Sequence, residues 1–144
     1  MKAKSIGRCN TNISTMKRNK KYGIIDIGSN SVRGRAFADG KIIYNELFTT
    51  RLGSGLANGS ELTEKSIQDT VKAIKNLVNG FQTVEVDEIY AFATEAVRSA
   101  TNGKNFVGLV KNETGIDVDV VNGDEEGELA LLGAVGMSDG GVID

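Results

Sequence analysis

The sequence GIIDIGSNSVR at residues 23–33 joins an apolar run to a tight turn of small polar residues. The run is typical of a buried β-strand and carries one carboxylate, Asp26, just before the turn Gly28-Ser29-Asn30-Ser31. Backbone N–H groups in such a turn form an anion-binding nest, and the hydroxyls add further donors. A carboxylate beside the turn is suited to hold Mg²⁺, usually through water, against a bound phosphate. The stretch therefore predicts a hydrolase that acts on phosphate compounds.

Composition limits the chemistry that the chain can carry. Its 144 residues are 40% hydrophobic and 25% charged, which indicates one ordinary globular domain. The sequence contains no histidine, which excludes a Ser-His-Asp triad and a His-ligated metal site within it. The single cysteine, Cys9, cannot form a disulfide framework and favours a reducing, cytoplasmic location. No apolar run approaches the ~18 residues of a membrane span, so we expect no membrane partner.

Positive charge is concentrated at the N-terminus. Residues 1–22 hold seven of the seventeen lysines and arginines and no acidic residue. The remaining residues carry ten cations against nineteen acids, a net charge of −9. Because the basic segment lacks interleaved aromatic residues, we expect no nucleic-acid partner. We expect residues 1–21 to be a disordered basic leader, and either Met1 or Met16 to be the natural start.

The pattern from Tyr22 onward alternates between strands and helices. Expected strands lie at 22–27, 35–38, 41–50, 87–93, 116–121 and 141–144, with a hairpin turn at Asp39-Gly40. Expected helices lie at 64–81, 104–113 and 124–135, the first with Thr63 as its N-cap and Gly80 near its C-terminus. A Gly-rich loop is expected at 52–62. The order βββαβαβα predicts an α/β, ribonuclease-H-like lobe, in which helices pack against a mixed sheet.

Acidic residues cluster in NGDEEGE at residues 122–128, where a strand is expected to lead into a helix. Two interpretations of this cluster are open. Carboxylates in the first turn of a helix interact favourably with the positive end of its dipole. Alternatively, one of them stays ionised near the phosphate loop and acts as a general base toward water.

Arginine offers a planar fork that matches phosphate oxygens, so the arginines near the expected loop are candidate ligands. Arg98 follows a buried strand in the sequence TEAVR and either faces a ligand or pairs with Glu95 on a solvated turn. Arg33 and Arg35 raise the same alternatives, because alternation on a strand places both on one exposed face.

Four motifs occur in an order that resembles one known family. They are DIGSNSVR (26–33), RLGSGL with LTEKSI (51–56 and 62–67), ATEAVRSATN with Phe106 (93–102 and 106), and NGDEEGELALLG (122–133). Over about residues 22–144, the sequence is thereby similar to the exopolyphosphatase / guanosine pentaphosphate phosphohydrolase family. That family belongs to the actin-like ATPase superfamily, in which two ribonuclease-H-like lobes close over a phosphate chain.

The resemblance implies a set of site residues. Phosphate would be bound by Gly28, Ser29, Asn30, Ser31 and Arg33. Arg98 would contact substrate and Glu126 would activate water, so these two are the expected catalytic residues. Asp26 and Asp144 would be the carboxylates linked to the expected cofactor, Mg²⁺.

The resemblance also implies a division of the chain and a reaction. After the leader, we expect a ribonuclease-H-like lobe over 22–136 and the start of a truncated second lobe over 137–144. The expected function is release of terminal phosphate from inorganic polyphosphate or guanosine pentaphosphate by metal-assisted water attack, as part of a longer chain. The alternative is a single lobe that binds phosphate compounds or regulates without catalysis. A kinase-like ATPase is a third hypothesis, against which the DIGSNS loop argues, and an unpaired last strand would favour a homodimer.

Overall fold

The computed structural model of the chain describes residues 2–5, 20–57 and 59–122. Within these ranges, the strands are β1 Lys2–Ser5, β2 Lys21–Ile27, β3 Ser31–Ala38, β4 Lys41–Thr49, β5 Glu88–Ala93 and β6 Val118–Val120. The helices are α1 Glu64–Thr83, α2 Glu95–Ser99 and α3 Gly103–Thr114, together with a 3-10 helix at Leu52–Ala57. No helix in these ranges is long and apolar enough to cross a membrane.

The strands form one mixed sheet in the order β1-β5-β2-β3-β4, with β6 also paired to β5. Antiparallel pairing joins β2 to β3 and β3 to β4, whereas β5 runs parallel to β1, β2 and β6. The hairpin between β3 and β4 turns at Asp39 and Gly40, whose φ angles of 51° and 77° are those of a two-residue hairpin turn. The predicted mixed sheet and the predicted turn are both confirmed.

The hydrophobic core lies between one face of this sheet and the helices α1 and α3. Alternate residues of β2 and β3 point into it, including Ile25 and Val32, which are fully buried. Helix α1 approaches the sheet closely where β3 carries Gly34. A Cβ placed there would lie 2.5 Å from Leu77 Cδ2, so the sheet and the helix meet without an intervening side chain.

Helix α1 begins where the sequence predicts and ends later. Thr63 Oγ1 accepts the Ser66 N–H at 3.1 Å, which confirms Thr63 as the N-cap. Gly80 lies near the C-terminus of the helix as predicted, although the helix continues to Thr83 and its C-cap is Val84. Gly80 instead makes room for Tyr44 of β4, since a Cβ at Gly80 would lie 2.1 Å from the Tyr44 hydroxyl.

The central strand β5 is buried on both faces of the sheet. Ile89, Ala91 and Ala93 belong to the main core, while Glu88, Tyr90 and Phe92 alternate onto the opposite face and are also buried. The Tyr90 hydroxyl donates to Glu88 Oε1 at 2.7 Å, and Lys20 Nζ donates to Glu88 Oε2 at 2.8 Å. Burial, followed by the hydrogen bond to Glu88, raises the pKa of Tyr90 well above its ordinary value.

The structure differs from the sequence-based expectations at several further elements, including a 3-10 helix in the expected loop 52–62. Residues Lys2–Ser5, which were expected to belong to a disordered leader, form a strand that pairs with β5. Strand β6 pairs with only the second half of the same edge of β5, so the first half has backbone groups available to β1. Strand β3 begins at Ser31 rather than at residue 35, and the short helix α2 was not predicted. The expected helix at 124–135 and strand at 141–144 lie outside the described residues, and the predicted domain boundaries stay predictions.

Candidate phosphate-binding site

The candidate site lies where the parallel strands β2, β5 and β6 end. The carboxyl ends of parallel strands share one edge of a sheet, which is where ligands bind in open α/β folds. Here the Thr94 N–H donates to the Ile27 carbonyl at 3.3 Å, and the Val121 N–H donates to the Ala93 carbonyl at 2.9 Å. These two bonds align the three segments that leave the sheet.

The loop Gly28–Ser31 crosses this edge with two carbonyl groups bonded to the segment 50–53, while the Ser31 carbonyl accepts the Gly28 N–H at 2.9 Å. The Ser29 carbonyl accepts the Gly53 N–H at 2.8 Å. The Asn30 carbonyl accepts two N–H groups, from Thr50 at 3.1 Å and from Arg51 at 2.9 Å. Ser29 and Asn30 are exposed, and within the described ranges their own N–H groups make no backbone hydrogen bond. The loop therefore keeps N–H donors and hydroxyls for a ligand.

The 3-10 helix Leu52–Ala57 packs against the loop Gly28–Ser31. A Cβ placed on Gly53 would lie 3.1 Å from Ser29 Cβ and 3.5 Å from Ala96 Cβ, so Gly53 fills a narrow space between the loop and α2. The loop is thus seated on two other segments, which fixes its conformation before any ligand binds.

A second connection joins the end of the 52–62 segment to the turn between α2 and α3. The Thr101 N–H donates to the Ser60 carbonyl at 2.8 Å. The Asn102 side chain accepts the Leu62 N–H at 2.8 Å through Oδ1 and donates to the Leu62 carbonyl at 3.1 Å through Nδ2. Asn102, the last residue of the motif ATEAVRSATN, therefore connects the end of the 52–62 segment to the start of α3.

Arg98, an expected catalytic residue, is held at the end of β6. Its guanidinium donates to the Val121 carbonyl at 2.6 Å and pairs with Glu95, whose other carboxylate oxygen accepts the Ser99 hydroxyl. The pairing of Arg98 with Glu95 that the sequence offered as one alternative is therefore present. Its contact with substrate stays a prediction.

Arg33, Arg35 and Asp26 lie on the sheet face opposite the main core. Asp26 and Arg33 are directly paired across β2 and β3, and Arg33 Nη1 donates to Asn45 Oδ1 at 3.0 Å. The Arg35 guanidinium lies 6.0 Å from the centre of the Phe37 ring. The expectation that alternation puts both arginines on one face is confirmed, although β3 is longer than predicted.

Of the carboxylates expected to hold Mg²⁺, Asp26 lies in the described part of the chain, and the Mg²⁺ site stays a prediction. No group of three or more carboxylate, thiol or imidazole side chains within the described ranges could hold a metal ion. Mg²⁺ commonly takes one or two protein carboxylates and completes its shell with waters and substrate phosphates, so a single aspartate near the phosphate loop fits this mode. The other expected carboxylates, Glu126 and Asp144, lie outside the described residues.

The fold defines a class of protein, a ribonuclease-H-like lobe, here with a loop of small polar residues between β2 and β3. Comparison with known families is more specific. The model of the Ppx/GppA phosphatase family matches residues 32–143, so the chain belongs to that family.

Solved structures and curated relatives support this assignment. A Ppx/GppA family member from Aquifex aeolicus is 35% identical, with a TM-score of 0.71 over 77% of this chain and 38% of that one. An exopolyphosphatase from Cytophaga hutchinsonii is 28% identical, with a TM-score of 0.73 over 78% of this chain and 37% of that one. A guanosine-5'-triphosphate,3'-diphosphate pyrophosphatase from Photobacterium profundum is 29% identical over 83% of this chain and 25% of its own length.

These likenesses confirm the family and the actin-like, ribonuclease-H-like fold that the motifs predicted. They also give a fact about length. The chain spans between 21% and 34% of the curated relatives that it matches, so it corresponds to one part of them.

Proposed function

We propose that this chain binds the terminal phosphate of a polyphosphorylated compound and takes part in its hydrolysis. The observation that carries the proposal is the orientation of the loop Gly28–Ser31. Three backbone hydrogen bonds to segment 50–53 occupy its Ser29 and Asn30 carbonyls, which leaves N–H groups and hydroxyls for an anion.

Local donors are needed because residues 23–144 are acidic overall, with a net charge of −9. A polyanion is repelled by such a lobe at long range, so binding depends on groups close to it. Arg33 lies on β3 two residues after the loop, Arg98 lies on α2, and both carry planar donor forks. This arrangement supports the assignment of Ser29, Asn30, Ser31 and Arg33 as phosphate ligands, whereas the Gly28 N–H already donates to the Ser31 carbonyl.

The proposed reaction is in-line attack of water on the terminal phosphorus. The water oxygen forms a bond to phosphorus while the bridging P–O bond breaks, and the proton of the water passes to the Glu126 carboxylate. Arg98 and the loop N–H groups offset negative charge on the equatorial oxygens. Mg²⁺, held by Asp26 and Asp144, would neutralise further charge on the phosphate when bound.

Inorganic polyphosphate and guanosine pentaphosphate are the proposed substrates, in line with the names of the exopolyphosphatase and the pyrophosphatase that the chain resembles. The test is release of orthophosphate from each compound by the purified chain, with and without Mg²⁺. Release from either one at a rate above the uncatalysed background supports the proposal. Binding of neither compound, with the protein folded, contradicts it.

A second candidate function is binding of phosphate compounds without turnover. It is favoured by the engagement of Arg98, whose guanidinium pairs with Glu95 and donates to the Val121 carbonyl within the described residues. Equilibrium binding separates the two candidates, because the second predicts saturable binding of polyphosphate with no phosphate released.

A further inference from the structure

Arg51 lies at the rim of the candidate site in an unusual backbone conformation. Its φ angle is 52°, in the left-handed region that residues with a Cβ rarely adopt. The other described non-glycine residues with positive φ, Asp39 and Glu85, sit in the turns that follow β3 and α1. Arg51 instead stands between β4 and the 3-10 helix, beside the phosphate loop.

The backbone of Arg51 is fixed on both sides. Its N–H donates to the Asn30 carbonyl at 2.9 Å, and its carbonyl accepts the Ser54 N–H at 3.0 Å. A glycine would adopt this φ without steric strain, so the turn itself does not require an arginine. Strained backbone of this kind is concentrated at sites where function maintains it.

The side chain of Arg51 differs from those of the other arginines near the loop. Arg33 donates to Asn45, and Arg98 is engaged by Glu95 and by the Val121 carbonyl. The Arg51 residue is exposed, and its guanidinium has no hydrogen bond or ion pair with any part of the chain that the structure describes. It is therefore available to a ligand without first losing a partner.

We propose that Arg51 is a specificity-determining contact for a second phosphate of the substrate, an inference that rests on the proposed function. The loop Gly28–Ser31 offers donors for one phosphoryl group. The Arg51 N–H donates to the Asn30 carbonyl, so the residue starts beside that loop and its side chain is long enough to contact a ligand bound there. The fork then binds the oxygens of a neighbouring, linked phosphate, so the site distinguishes chains of two or more phosphates from orthophosphate.

Substitution by glycine separates this role from a structural one. Arg51→Gly removes the charge and relieves the backbone strain, so the melting temperature should stay equal or rise. Polyphosphate affinity should fall about tenfold, as expected for the loss of one charge-assisted contact. Orthophosphate affinity should change less than about twofold, which is a smaller change than the loss of one charge-assisted contact would cause.

The experiment is isothermal titration of the full chain with polyphosphate of one defined length and, separately, with orthophosphate. Lys72→Ala is the matched control, because it removes one positive charge from an exposed position on α1. Arg51→Gln repeats the charge removal with a side chain retained. Both Arg51 variants should weaken polyphosphate binding, and Lys72→Ala should not.

Two contrary results have different meanings. If the wild-type chain binds polyphosphate and Ser29→Ala weakens that binding while Arg51→Gly does not, the role of Arg51 is refuted and the phosphate loop stands. If the folded wild-type chain binds no polyphosphate, the proposed function fails and the inference fails with it.

Discussion

The side-chain amide of Asn102 pairs with both backbone groups of Leu62, at 2.8 Å and 3.1 Å, forty residues apart in sequence. This contact imitates the pairing of two strands and ties the end of the 52–62 segment to the start of α3. Leu62 is 3% exposed, so its backbone groups have little access to water when the amide is removed.

Asn102→Ala should lower the free energy of unfolding by about 1–3 kcal/mol, since it leaves the Leu62 N–H and carbonyl without partners. The Asn102 side chain makes no cap hydrogen bond to α3, so the loss reports on Leu62 rather than on the helix end. Urea denaturation measures this loss of unfolding free energy. Asn105→Ala, on the exposed side of α3, is the control and should be near neutral; equal losses for the two variants would contradict this role.

Thr50→Val should stabilise the protein by about 1 kcal/mol, because the Thr50 hydroxyl is buried without a hydrogen-bond partner in the described part of the chain. The matched control is Thr70→Val. Thr70 is also buried, but its hydroxyl donates to the Ser66 carbonyl at 2.7 Å, so that substitution should destabilise by about 0.5–1.5 kcal/mol. Thermal and urea unfolding should show opposite changes in stability for the two variants. A loss of stability in Thr50→Val would refute the prediction.

Gly34→Ala should destabilise the protein by about 1–3 kcal/mol through overpacking, because the added methyl group meets Leu77 at 2.5 Å. Gly108→Ala makes the same chemical change in the middle of α3, where a Cβ meets nothing within 4 Å. At that position the better helix propensity of alanine should raise the free energy of unfolding by about 0.5–1 kcal/mol. Denaturation of the two variants side by side is the measurement, and a neutral Gly34→Ala would show that α1 shifts freely.

Tyr90→Phe should flatten the dependence of stability on alkaline pH. Because the pKa of Tyr90 is raised in the folded state, its contribution is complete below the ordinary tyrosine pKa of ~10 and is lost as pH rises beyond it. Lys20 and Tyr44, whose pKa values are also raised, act in the same direction and remain in the variant. Unfolding free energies between pH ~9 and ~11 should fall less steeply in Tyr90→Phe than in wild type. If the two proteins lost stability equally with rising pH, Tyr90 would not contribute to the pH dependence.

Glu126→Gln should lower the rate of phosphate release by at least ~10²-fold, within the range that general bases supply. The substitution keeps the size of the side chain and removes the proton acceptor, so polyphosphate affinity should be retained. Turnover is measured as orthophosphate released at saturating substrate. Wild-type turnover in the variant would exclude Glu126 as the base, and Glu125→Gln is the neighbouring control.

Sequence periodicity was sufficient for the long elements and insufficient for the short ones. Helix α1 and strand β5 were predicted because their apolar residues repeat over many positions. Strand β3 was predicted too short because Gly34 and two arginines interrupt the apolar pattern, although the glycine is there to admit Leu77. Helix α2 has five residues, too few for a helical period to be visible.

The candidate site was also predicted only in part, because backbone contacts leave no pattern in the sequence. The loop Gly28–Ser31 was identified from its composition and from its place after a strand. The part played by segment 50–53 was not, because Asn30, Thr50 and Arg51 meet through backbone groups that no residue type reveals. The strained φ of Arg51 is equally invisible in a sequence, where an arginine gives no sign of a left-handed conformation.

The bond between Arg98 and the Val121 carbonyl makes two events mutually dependent. A ligand that draws this guanidinium away breaks its bond to the Val121 carbonyl, although the Val121 N–H stays bonded to the Ala93 carbonyl. Thermodynamic reciprocity then requires that occupancy at Arg98 and the placement of the backbone at Val121 and Asn122 favour or oppose each other by the same factor. Through this bond, the position of the Arg98 guanidinium and the backbone position at Val121 are linked.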